Sequence, residues 1–185
     1  MTSADLKFVM TKRHIEPVTR GRVRLRLLEE SDLPTTLSWR NQDRVRKWFL
    51  DSDVITAEVH QEWFRQYVNR DDDFVFIIEE TRDLMKPIGQ LAIYNIDPVK
   101  RRAEFGRMVI GEPDALLKGL AKEATMLACE IAFETLGLNE LEAFIKSANA
   151  MSHAALSSVG FHETGEQDGM KRVVATALQR KSAGK

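Results

Sequence analysis

The sequence predicts one α/β (α+β) domain, with a mixed, mostly antiparallel central sheet of about six to seven strands flanked by about four helices. Three observations predict it. Short apolar or alternating segments rich in strand formers recur along the chain from Arg22 onward. Two of them, residues 74–79 and 88–96, are separated by a short charged loop with Lys86 and Pro87, the pattern of an antiparallel hairpin. Residues 101–147 read strand, loop, long helix, strand, a spacing that implies a right-handed crossover between parallel strands.

Taken in order, residues 1–20 are of mixed character and form an N-terminal extension, able to pair locally with the sheet; residues 21–180 are the single domain. Residues 22–28 alternate charged and apolar side chains, which makes them a half-buried strand with Val23, Leu25 and Leu27 on one face. Ser31 can cap a helix that begins at Asp32, with Pro34 tolerated in its first turn and Leu33 and Leu37 on one face. Thr56 can cap a second helix, on which Val59, Trp63 and Tyr67 share a face flanked by Phe64 and Val68. Residues 71–73 end it in a turn, the hairpin follows, and residues 101–110 pair next. Gly106 inside that strand marks a bulge or a close backbone approach. A helix over residues 118–136 buries Leu120, Ala124, Leu127, Ala128, Ile131 and Ala132, and Gly137 ends it. Residues 141–147 return as a strand, 149–158 form the last helix, and 173–178 close the sheet after a weaker strand at 161–164. The terminal residues 181–185 should fray.

At 185 residues, 43% hydrophobic and 30% charged, the chain can bury one sizeable core. A net charge of −1 gives no electrostatic case for nucleic acid. The single cysteine, Cys129, lies in an apolar helical pattern, so no intrachain disulfide is possible and a core role is expected. No secretory segment and no run long enough to cross a bilayer is visible, so no membrane partner and a cytoplasmic location are expected, for a monomer or homodimer. No metal-ligand cluster is apparent.

Residues 104–124 carry the chemistry. A bulged strand leaves backbone groups unpaired that can bind an extended amide-containing ligand. A loop with Gly111 and Pro113 then leads to a helix opening near Lys118, where free amides, the helix dipole and the small residues Gly119 and Ala121 make an anion site. Any strand, loop and helix joined through a glycine would look similar, but neither a P-loop nor a Rossmann fingerprint is present. Residues 116–121 (Leu116, Leu117, Lys118, Gly119, Leu120, Ala121) resemble the Arg/Gln-x-x-Gly-x-Gly/Ala motif at the acetyl-CoA site of the GNAT N-acetyltransferases, with Leu116 where the family has Arg or Gln. A second feature fits the same family: Asn149-Ala150-Met151-Ser152 opens a helix that ends in Val159-Gly160-Phe161, a form similar to the ribosomal-protein and spermidine acetyltransferase branch. The resemblance implies a GNAT fold with splayed parallel strands at the CoA site. It also implies acetyl-CoA as cofactor, held by Met108, Val109, Ile110, Lys118, Gly119, Leu120, Ala121, Asn149 and Ser152.

Residues 38–64 combine Trp39, Arg40, Asn41, Arg44, Arg46, Trp48, His60 and Trp63. Arginine matches phosphate in a bidentate manner and tryptophan offers a face to a ring, so the segment suits a polar, phosphate-bearing substrate; helically spaced tryptophans are also ordinary core and helix arginines ordinary surface. Trp-Arg-Asn, then Val-Arg-x-Trp and a later Ile, His and Trp, resemble the acetyltransferases of nucleotide-linked 4-amino sugars. Acetyl transfer needs a neutral amine, a polarised carbonyl and a proton for the departing thiolate. Backbone amides near residues 108–110 can polarise the carbonyl, and Glu104, at the entry to the strand, is the candidate base. The family's usual tyrosine acid falls on Leu156, leaving Ser152 or His153 as substitutes; His60 and His162 have no better support. The expected acceptor is a small-molecule amine, an amino sugar. A protein N-terminus or a polyamine is the alternative, and the residues at Leu116 and Leu156 also allow a non-catalytic acyl-CoA-binding regulatory protein.

Overall fold

The computed structural model describes residues 15–178. Eight strands form one sheet in the order β1-β2-β3-β4-β5-β6-β8-β7: β1 Val18–Arg20, β2 Val23–Leu27, β3 Asp73–Glu80, β4 Lys86–Asp97, β5 Arg102–Ile110, β6 Glu140–Lys146, β7 His162–Gln167 and β8 Met170–Thr176. The sheet is mixed and mostly antiparallel, as expected, with β5 and β6 the one parallel pair among these strands. The strand count is slightly higher than the pattern indicates because β1, a three-residue Val-Thr-Arg segment, pairs with β2 without any apolar alternation of its own. The expected fraying of residues 181–185 lies outside the described residues.

Five α-helices cover the two faces: α1 Leu33–Arg40, α2 Asp43–Arg46, α3 Ala57–Tyr67, α4 Leu120–Glu130 and α5 Ala150–Ser157. The one beyond the expected four is α2, a single turn. Because side chains alternate along a strand, β3 feeds both layers. Phe74, Phe76 and Ile78 join Val23, Leu25, Phe105 and the α4 residues Leu120, Ala124, Leu127 and Ala128. Val75 and Ile77 join Leu33, Phe64 and Tyr67 on the α1–α3 side. Ile77 is closed off from solvent, and truncation to Ala there costs on the order of 2–5 kcal/mol.

Several boundaries correct the sequence reading. Ser31 does not cap α1. It sits inside a short 3₁₀ turn, Glu30–Asp32, whose entry is fixed by the Glu29 amide donating to Asp32 Oδ2 at 2.9 Å, with Arg26 gripping the same carboxylate at 2.6 and 2.7 Å. Thr56 does cap α3, its hydroxyl accepting from the Val59 amide. The packed stripe of α3, however, runs through Trp63, Phe64 and Tyr67, and Val59 is left 59% exposed. Helix α4 begins at Leu120 rather than Lys118, with Gly119 as its cap, and ends at Glu130 in a wider π turn, Ile131–Thr135. Gly137, in the left-handed region at φ +66°, then turns the chain toward β6. Cys129 is buried in the core.

Candidate active site

Strands β5 and β6 part company early. Their pairing consists of Arg102 with Glu140, Ala103 with Leu141 and Glu104 with Glu142, after which β5 runs on to Ile110 and β6 to Lys146 without further rungs. Beyond Glu104, therefore, the β6-facing edge of β5 offers backbone amides and carbonyls to a ligand rather than to a strand. The bulge expected near Gly106 lies in this stretch: Gln90 pairs with Val109 and Ala92 with Gly106, so β5 inserts one extra residue where β4 advances two. Arg107 takes up that residue at φ +50°. The bulge shifts the alternation, so Val109 faces Trp39 and Val45 while Met108 and Ile110 pack against the α4 side.

Each diverging strand ends at a helix N-terminus. After β5, Gly111 lies over the Trp39 ring, where an added Cβ would come within 2.0 Å of it. The chain then passes a 3₁₀ turn, Pro113–Ala115, and two left-handed residues, Leu117 at φ +60° and Gly119 at φ +78°. The first amide of α4 with a helical partner is that of Glu123, which donates to Gly119 O at 3.2 Å; helix geometry leaves those of Leu120, Ala121 and Lys122 directed out of the helix start. Arg22 braces this turn by donating to Lys118 O at 2.8 Å and to the Glu123 carboxylate, which it holds below the usual carboxylate range. Outward amides, a helix N-terminus and a side-chain-free Gly119 fit a pyrophosphate, and the open β5 edge fits the amide-rich arm that joins it to a thioester. After β6, Asn149 caps α5 by accepting from the Ser152 amide at 3.1 Å, so both residues stand at the end of the second diverging strand.

Glu104 lies on the α1–α3 face at the last rung before the splay, half-buried, with Asn95 Nδ2 donating to its Oε1 at 2.7 Å. Its neighbour across that rung, Glu142, is matched to Arg172 at 2.7 Å. A cluster that no sequence spacing announces surrounds it. Tyr94 faces Glu104 across the ladder, the Arg107 guanidinium lies 4.2 Å over the Tyr94 ring, and the same guanidinium donates to both oxygens of Asp73 at 2.9 Å. Asp73 is 1% exposed and opposes Tyr94 from β3. On α3, His60, Trp63 and Tyr67 stack in a ladder with 5.3 Å between successive rings. Burial pushes His60 down, which keeps its imidazole neutral at pH 7.

Residues 41–56 form a strap between α1 and α3, and the arginines placed in this segment help build it. Asn41 uses both ends of its amide on the Ile55 backbone, at 2.8 and 2.9 Å. Arg40 lies over the Phe49 ring and donates to Asp51 O, Arg46 donates to Ser52 O, and Arg44 donates to Ile110 O and Gly111 O at the tip of β5. Burial lowers Arg40, and its Nη1 is enclosed without a partner among the described residues. From the other side of the splay, Lys146 donates to Lys47 O and Phe49 O at 3.0 and 2.7 Å, so the strap bridges the mouth between β5 and β6. Trp48 is half-exposed on the strap beside Lys47, and Trp39 is core, with its indole N–H donating to Glu112. His153 turns to Glu163 on the β7 surface, and Leu156 is core. Glu104 and the α3 ladder thus share one face of the sheet, while the α4 and α5 starts flank the splay.

Comparison with known proteins agrees with this geometry. Among curated proteins, the chain is 29% identical over 157 residues to the putative ribosomal N-acetyltransferase YdaF of Bacillus subtilis, covering 80% of this chain and 82% of the relative. It is also 29% identical over 153 residues to spermidine N(1)-acetyltransferase of Escherichia coli K12, covering 78% and 75%. Among solved structures, spermidine N-acetyltransferase from Vibrio cholerae in complex with CoA and spermine superposes with a TM-score of 0.77 at 20% identity, over 86% of this chain and 98% of that one. Apo FdhC, a nucleotide-linked sugar GNAT, gives 0.79 at 24%, over 90% and 93%. The profile of the acetyltransferase (GNAT) domain matches residues 22–162, from the arginine that braces the α4 turn to the start of β7, and the chain belongs to the GNAT acetyltransferase family.

Proposed function

We propose that the chain acetylates the amine of an amino sugar carried on a nucleotide diphosphate, with Glu104 as general base. The observation that carries the acceptor class is the charge balance on the α1–α3 face. Among the described residues Asp73, Glu112 and Glu142 are matched to Arg107, Lys86 and Arg172, whereas Glu104 accepts from the neutral amide of Asn95. A polycation needs carboxylates that internal cations have not already neutralised; a sugar ring needs flat faces and hydrogen-bonding groups, which the partly exposed His60 and Trp63 at the open end of the α3 ladder supply. Arg44, exposed at the tip of β5, uses only its two terminal nitrogens on carbonyls and keeps further N–H groups for phosphate.

Acetyl-CoA, the acyl donor of the family, supplies the thioester when bound. The free amides of Leu120, Ala121 and Lys122, behind the turn at Lys118 and Gly119, would hold the pyrophosphate, and Asn149 and Ser152 line the opposite helix start. Backbone donors of the Met108, Val109 and Ile110 stretch would polarise the thioester carbonyl. Glu104 takes the ammonium proton from the acceptor, directly or through one water, at the point where the strands diverge.

The relatives' names favour a second reading, acetylation of a polyamine or a ribosomal-protein N-terminus. An assay of nucleotide-linked 4-amino sugars against spermidine and peptides with free N-termini separates the two. Turnover of an amino sugar is expected; activity on spermidine or peptides with none on any amino sugar refutes the proposal.

A further inference from the structure

We propose that Tyr94 is the positioning residue for Glu104: laid across Gly106 and clamped by Arg107, it fixes the carboxylate at the mouth of the splay. The inference rests on Glu104 being the base and concerns how this chain holds it.

Three features fix the ring. Tyr94 and Glu104 are directly opposite in the β4–β5 ladder, and in such a pair the side chains share one face. Gly106 clears the way, since a Cβ there would stand 3.1 Å from the Tyr94 hydroxyl and 3.3 Å from its ring edge. Above the ring, the Arg107 guanidinium sits 4.2 Å from the centroid and is itself locked to both oxygens of Asp73. Arg107 can do this because the bulge turns it into the left-handed region, so the irregularity that opens β5 toward a ligand also builds the clamp. Burial first, and then the charge of Glu104, push the Tyr94 hydroxyl up to about 12. It therefore keeps its O–H at neutral pH, and its place opposite Glu104 in the ladder lets it donate to the carboxylate that Asn95 already holds. A carboxylate with free rotamers reaches the amine in only a fraction of its orientations, and two fixed donors remove that loss.

The experiment is a double-mutant cycle on steady-state turnover, with CoA affinity measured by calorimetry. Tyr94→Phe should lower kcat roughly tenfold, the size of one charge-assisted hydrogen bond, with acceptor KM and CoA affinity unchanged. Combined with Glu104→Gln it should cause little further loss, because the residue it positions is gone. Gly106→Ala keeps the hydroxyl but pushes it aside and should reproduce the fall, which carries the test if Tyr94→Phe fails to fold. Wild-type kcat in Tyr94→Phe, or a loss that multiplies with that of Glu104→Gln, overturns the inference while leaving the base in place. A wild-type rate in Glu104→Gln alone removes the base, and the role of Tyr94 with it.

Discussion

Replacing Gly119 with valine tests the proposed cofactor turn separately from the rest of the fold. The residue sits at φ +78° and ψ 0°, where an L side chain costs about 1–2 kcal/mol. Its Cβ would have no protein atom nearer than Arg22 Nη2 at 3.9 Å, so strain rather than collision sets the cost to stability. That cost is small beside the roughly 5–15 kcal/mol of an ordinary domain, and the variant should fold. Binding should suffer more. Relief of the strain should rotate the turn and swing the Leu120, Ala121 and Lys122 amides away from the proposed pyrophosphate position, and the γ-methyls should occupy the open side. Loss of one charge-assisted hydrogen bond, about 1.5–3 kcal/mol, corresponds to roughly tenfold to a hundredfold weaker CoA. Calorimetric titration with CoA, alongside thermal melts, measures both quantities, and Gly119→Ala should fall between the two because it has the strain without the γ-methyls. A folded Gly119→Val protein that binds CoA like the wild type would refute the placement of the pyrophosphate.

Two further outcomes follow from the site and its margin. Glu104→Gln should lower turnover by about 10²–10⁴ without changing CoA affinity, with the deficit shrinking at high pH where the amine is already neutral; a pH-independent deficit argues against a base. Lys86 first, and Trp39 second, hold the Glu112 carboxyl below its ordinary value of 4.5. A depressed carboxyl contributes stability that is fully present above its unfolded pKa and is lost as pH falls through the folded one. Exposed pairs of this kind contribute little, so Glu112→Gln should melt only slightly lower at pH 7, with the gap closing as the pH falls below the ordinary carboxyl value. A gap that persists undiminished at pH 3 contradicts the assignment.

What the sequence revealed was local. Thr56 and Asn149 cap their helices because a side-chain oxygen next to a helix start acts over three residues, a distance visible in the string. Gly106 signalled the bulge, and the crossover spacing signalled the parallel pair. The Asp73–Arg107–Tyr94–Glu104 cluster was not legible, because its members come from three strands and meet only through ladder register and a left-handed residue at 107. The same holds for the segment rich in arginine and tryptophan. Composition showed donors and flat faces, but only the fold shows that Arg40, Arg44 and Arg46 reach main-chain carbonyls and that Trp39 is core while Trp63 lies in a stack. The weaker strand expected at 161–164 is β7, which runs three residues further, to Gln167; its six residues are exposed and held through β8, so no apolar alternation marks its end.

The three rungs between β5 and β6 have a mechanical meaning. On one side stand β1 to β5, on the other β6, β8 and β7, and Ala103 and Leu141 form the central rung of the seam like the pin of a pair of tongs. At the far end of the jaws Lys146 fastens one arm to the strap of the other. A molecule seated between the arms is therefore bounded at one end by the pin and at the other by the clasp, and the width left to it depends on how closely the buried Ala103 and Leu141 draw the strands together. Enlarging Ala103 should therefore change the opening between the strands from its closed end, without altering any residue beyond the last rung.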